Sequence, residues 1–253
     1  MLYKKNHLLL TCLCGSVLFL SACQPSNTTT DTATNTEQSQ AVETPDAPVQ
    51  NSEVNTDEHA HDHHNHHDMS QMVVNADNEV QQAYLQGMAK MHDDMMAGMM
   101  ANDPDVAFAK GMLPHHQGAV AMAEVQLKYG KDATMRKLAE DIIKAQQAEI
   151  EQMQNWIAEH PDTDKQDNTE AMQQAYHNSM QAMHGDMMAG ISEPDPDMAF
   201  AKGMLPHHEG AVAMAEVELK YGKDDAMRKL AEDIIKAQQA EIELMQNWIS
   251  NHS

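Results

Sequence analysis

Thiols are nearly absent from this 253-residue chain: Cys12, Cys14 and Cys23 are its three cysteines, all within the first 23 positions. Whatever folds beyond them has no disulfide and no thiolate ligand, which leaves imidazole, carboxylate and thioether as metal-binding groups. Basic residues are scarce too, with 16 Lys and Arg against 39 Asp and Glu and a formal net charge of −23. Such a surface excludes a nucleic-acid partner and draws cations. No alternating, β-rich stretch occurs anywhere, so the fold class is all-α. In place of what is missing stand 23 Met and 16 His.

The opening "MLYKKNHLLLTCLCGSVLFLSAC" has a basic start (Lys4, Lys5), a short apolar run and then "LSAC". It reads as a secretory signal over residues 1–22, too short and too asymmetric to be a spanning helix. The pattern resembles that of bacterial lipoproteins, cleaved before Cys23, whose thiol is then lipidated. Cys12 and Cys14 leave with the signal, and loss of Lys4 and Lys5 takes the net charge to −25. The expected location is the bacterial envelope, anchored by lipid, more readily to the outer membrane, and facing the periplasm. Residues 23–78 are polar and without periodicity, a disordered tether. Within them "HAHDHHNHHDM" carries His59, His61, His63, His64, His66 and His67. Such a tract captures divalent metals, Cu(II) and zinc among them, with little geometric selectivity.

From Glu79 onward the chain repeats with a period of 92: residues 91–160 align with 183–252 without gaps, and 57 of the 70 positions are identical. The first repeat spans 79–160, a linker 161–171, and the second repeat 172–253. Each repeat reads as three helices. The first is Met-rich; the second starts at an Asp–Pro signal and ends at "KYG", with Gly130 or Gly222 as cap. The third runs from about Asp132 or Asp224 to His160 or His252. The second and third helices of each repeat form a hairpin, and two hairpins make an antiparallel four-helix bundle with the Met-rich helices beside it.

Steps of about 100° around each helix sort the faces. On the first helix Met88, Met91, His92, Met95 and Met99 share one side with Met96 at its edge; the second repeat keeps Met180, Met183, His184, Met187 and Met188. Met fills irregular cores well, but Leu or Ile would specify packing better, and thioether with imidazole is the donor set suited to Cu(I). On the second helix His116 falls amid Phe108, Met112, Ala119, Ala123 and Leu127, while His115 and Met122 lie at one margin. The third helix buries Met135, Leu138, Ile142, Met153, Trp156 and Ile157 and carries Gln146 and Glu149 on that same face. A buried carboxylate needs a partner. His116 and Glu149 either satisfy each other or join their second-repeat equivalents around a metal.

The stretches "FAKGMLPHHQGAVAMAE" and "AEDIIKAQQAEIEQMQNWI" resemble the domain of unknown function 305 family, over about residues 79–253 and in both halves. The resemblance implies a ferritin-like four-helix bundle and, for some members, envelope copper binding through Met and His. Carried over by position, its residues are His115 and His116 with Gln146 and Glu149, and Met112, Met122 and Met153. In the second repeat they are His207 and His208 with Gln238 and Glu241, and Met204, Met214 and Met245.

These features point to a copper-binding lipoprotein that sequesters or delivers Cu(I), and silver alongside it, as part of copper tolerance. A copper-efflux or copper-chaperone protein would then be its partner. A di-metal oxidase is the competing reading; such sites use four carboxylates and Glu-x-x-His pairs, but the helices lack the latter and offer one buried Glu per third helix, with Glu124 and Glu216 as additions. A third reading is a metal-independent bundle whose Met faces dock another protein.

Overall fold

The structure, a computed structural model, describes residues 78–253. The signal, Cys23, the tether and the histidines from His59 to His67 lie outside the described residues. Every regular element among those described is a helix: α1 (Glu79–Met99), α2 (Pro104–Tyr129), α3 (Ala133–Glu159), α4 (Thr169–Ile191), α5 (Pro196–Tyr221) and α6 (Asp225–His252). None is long and apolar enough to cross a membrane.

Capping sets the boundaries. Asn78, Asp103, Asp132, Asp195 and Asp224 each turn a side-chain oxygen onto free N–H groups of the first turn that follows, and Pro104 and Pro196 hold the first helical φ. Gly130 and Gly222 do end α2 and α5, but with φ of −71° and −68°, so positive φ is not why they are glycine. Space is the reason. A Cβ on Gly130 would lie 2.3 Å from Gln126 Nε2, and one on Gly222 2.0 Å from Glu218 Oε1.

The two repeats meet through α2 and α5, which cross antiparallel; α3 packs on α2 and α6 on α5, while α1 and α4 cover the other side and touch each other. Two buried aspartates tie the ends. Asp105, at the start of α2, accepts N–H bonds from Lys223 and Asp224 in the α5–α6 turn, at 2.8–3.1 Å. Asp197, at the start of α5, does the same for Lys131 and Asp132 between α2 and α3. Each carboxylate thus satisfies free donors of the opposite repeat with charge-assisted bonds.

Pro114 and Pro206 lie inside α2 and α5. A proline has no N–H, so the carbonyls four residues earlier, at Lys110 and Lys202, lose their helical donors. Against those carbonyls α1 and α4 present Gly98 and Gly190: a Cβ at either would lie 2.3 Å from the oxygen. Only a bare Cα allows that approach, in which Cα–H groups face the freed carbonyls.

Candidate metal centre

The adjacent histidines of α2 and α5 diverge. His115 and His207 turn toward each other across the repeat boundary, ring centroids 3.8 Å apart. His116 and His208 turn to their own third helices, where Nε2–H of each donates to a carboxylate: Glu149 at 2.8 Å and Glu241 at 2.7 Å. All four imidazoles are buried. Glu149 and Glu241, expected inside the core, are about one-fifth exposed instead. A carboxylate that keeps an oxygen in water avoids most of the cost of burial.

Of the two outcomes expected for the His116–Glu149 pair, mutual satisfaction holds for one nitrogen only. Nδ1 of His116 and of His208 has no hydrogen-bond partner, nor has Nδ1 of His207 or either nitrogen of His115. A histidine whose one N–H is held by a carboxylate presents its other nitrogen as a lone pair, the arrangement that orients imidazole ligands on metals. Burial, and after it the neighbouring imidazoles, hold His115 and His207 well below the ordinary histidine range, with a backbone contact at His207 pulling weakly the other way for His115. Both rings are therefore neutral and able to donate to a metal near neutral pH.

Thioethers surround them. Met91, on α1, places Sδ 3.3 Å from Nε2 of His207 on α5 and packs against Gly118. Met183 makes the equivalent approach to Gly210. Met88, Met95, Met99, Met180 and Met187 are buried along the same two helices, and Met96 and Met188 partly so. Met112, Met122, Met153, Met204, Met214 and Met245 also lie in the core. Met122 and Met214 reach across the boundary to Gly203 and Gly111. Where α1 and α4 meet, His92 and His184 are half-buried, ring centroids 5.5 Å apart. Glu124 and Glu216, the further carboxylates considered for a di-metal site, are exposed. Among the described residues no group of three or more His, Cys, Asp or Glu is set to hold a metal ion.

Sequence reasoning missed Glu218. It is buried on α5, and its pKa is pushed up to about 9, first by burial and then by the neighbouring Asp105 carboxylate. At the equivalent place in the first repeat Gln126 donates Nε2–H to Asp197 at 2.6 Å. The signal was present as one of three differences between α2 and α5, Gln126 against Glu218, beside Val106 against Met198 and Gln117 against Glu209. Also missed were His160 and His252, which stack on Trp156 and Trp248 at centroid distances of 4.1 and 4.2 Å.

The sequence model of the family described as "Domain of unknown function (DUF305)" matches residues 105–249, and the chain belongs to that family. Among solved structures it is similar to silver-bound CopM, at 32% identity over 58% of this chain and 95% of that one, with a TM-score of 0.45. For Cu(II)-bound CopM the values are 32%, 59%, 97% and 0.47. A DUF305 fragment from Deinococcus radiodurans is 27% identical over 60% of this chain and 98% of its own, with a TM-score of 0.47. No curated protein matches. The family match starts after α1, so Met88, Met91 and His92 lie outside it.

Proposed function

We propose that this protein binds soft monovalent metal, Cu(I) first and Ag(I) with it, and sequesters or hands it on within the bacterial envelope as part of copper tolerance. The observation that carries this reading is the Met91 Sδ–His207 Nε2 contact of 3.3 Å inside a buried cluster of unpartnered imidazole nitrogens. Metal–nitrogen and metal–sulfur bonds are about 2.0–2.3 Å long, so one ion can engage both atoms with little movement. Thioether with neutral imidazole favours Cu(I) over hard cations.

In this reading the metal is cargo and no reaction occurs. The acidic surface concentrates cations and the tract from His59 to His67 captures Cu(II) or zinc. The lipid at Cys23 holds the protein at the membrane, and a copper-efflux or copper-chaperone protein takes the ion onward. The fold that accompanies it is a ferritin-like four-helix bundle of α2, α3, α5 and α6, built from a tandem repeat, with α1 and α4 beside it.

The test is anaerobic Cu(I) titration against a competing chelator, beside Zn(II) and Fe(II), with and without the six tract histidines. Tight Cu(I) binding that survives their replacement supports the reading. Binding lost with the tract, or a preference for Fe(II), overturns it.

A further inference from the structure

We infer that His92 and His184 form a second metal site, one that takes a single soft ion between the two repeats and admits it to the buried cluster. The inference rests on the Cu(I) reading above and adds where the ion first binds.

Three observations lead here. First, spacing. An imidazole nitrogen binds a metal at about 2.0–2.1 Å, which with the ring radius places two rings on one ion about 5–6 Å apart. His92 and His184, at 5.5 Å, are in that range. His115 and His207, at 3.8 Å, are closer than a shared ion allows, and of the two it is His207 that has a sulfur at hand, Met91 Sδ at 3.3 Å.

Second, position. Residues 92 and 184 are equivalents under the 92-residue offset, as are 115 and 207. Equivalent residues meet each other only on the twofold relation between repeats, so both pairs lie on that one line: the pair His92–His184 partly buried, the pair His115–His207 fully buried. Met91, the sequence neighbour of His92, has its sulfur 3.3 Å from His207. Imidazole, thioether, imidazole is a sequence of soft donors leading inward.

Third, composition around the outer pair. Met96 and Met188 sit one turn beyond His92 and His184, on the same helix sides, and are only partly buried. Residues four apart on a helix are neighbours, so each repeat offers an imidazole and a thioether at this surface. Neither repeat alone assembles the pair.

The experiment uses the mature chain, residues 23–253 with Cys23→Ser, labelled with ¹⁵N, and Ag(I) as a diamagnetic probe. Histidine ring signals are followed through the titration, with Cu(I) retention against a chelator measured in parallel. The rings of His92 and His184 shift together, ahead of His115 and His207. His92→Gln abolishes the shift at His184, removes one bound equivalent, and slows loading of the inner pair at least several-fold without changing its final occupancy. Met96→Leu with Met188→Leu serves as a second variant that leaves both rings in place and weakens the outer equivalent. If His184 still shifts in the His92→Gln protein, or if the inner pair loads first, the shared outer site is wrong while copper binding stands. If no Cu(I) is retained and no ring responds, the copper reading itself fails.

Discussion

Met91 and His207 come from different repeats, from α1 of one and α5 of the other, and meet sulfur to nitrogen at 3.3 Å. A thioether is a weak acceptor, so the contact adds little to stability as a hydrogen bond. Its consequence is for metal binding.

Met91→Leu separates these two contributions. Leucine conserves volume and apolarity, so the fold changes by less than about 1.5 kcal/mol. The sulfur is lost, and Cu(I) affinity falls at least tenfold in chelator competition while the thermal midpoint moves by only a few degrees. Equal Cu(I) affinity in the variant would remove Met91 from the site.

Two glycine substitutions give opposite results. Gly98→Ala puts a methyl group 2.3 Å from the Lys110 carbonyl that Pro114 has freed, so α1 has to lift off α2. Destabilisation of about 1–3 kcal/mol follows. Gly185→Ala, on exposed α4 surface with nothing within 4 Å of the new Cβ, stabilises by up to about 1 kcal/mol through helix propensity. Urea unfolding of both variants checks the pair; a stabilised Gly98→Ala would show that α1 does not seat as described.

Asp197 offers a test of the ties between repeats. Asp197→Ala leaves the N–H groups of Lys131 and Asp132 and the amide of Gln126 without their common acceptor. Loss of charge-assisted bonds to a buried carboxylate costs about 2–3 kcal/mol. A matching fall in protection from hydrogen exchange at Lys131 and Asp132 would locate the effect; unchanged exchange there would refute it.

The helices were legible because their signals are local. Asp–Pro starts, the "KYG" ends and the 92-residue period mark the helices, although α4 begins at Thr169, inside the stretch 161–171 read as a linker, and 3.6-residue periodicity identifies the buried methionines. What stayed hidden depends on crossing geometry. Nothing in "LPHHQG" says that the first histidine crosses to the other repeat while the second stays with its own carboxylate. That split follows from a 100° step between neighbours on a helix wedged between two others. Nor could faces alone show that Glu149 reaches water while Glu218 does not. Glu218 was hidden for a different reason: a Glu on a helix otherwise ending in Lys and Tyr reads as surface until Asp105 arrives from the opposite repeat.

That same Glu218 gives the pH prediction. Its folded pKa is about 9, against an ordinary 4.5, because burial and Asp105 both oppose its charge. The folded state therefore holds a proton that the unfolded chain releases above pH 4.5, and stability falls as pH rises through the window from about 4.5 to 9. Below that window both states are protonated and the cost vanishes. Glu218→Gln places in the second repeat the neutral donor that Gln126 already supplies in the first, where it bonds Asp197 at 2.6 Å. The variant gains stability at neutral pH, on the order of a few kcal/mol, with the gain growing toward pH 9 and disappearing near pH 4. Denaturation midpoints at pH 4, 7 and 9 measure it. A gain independent of pH would mean that packing rather than proton uptake separates the two residues.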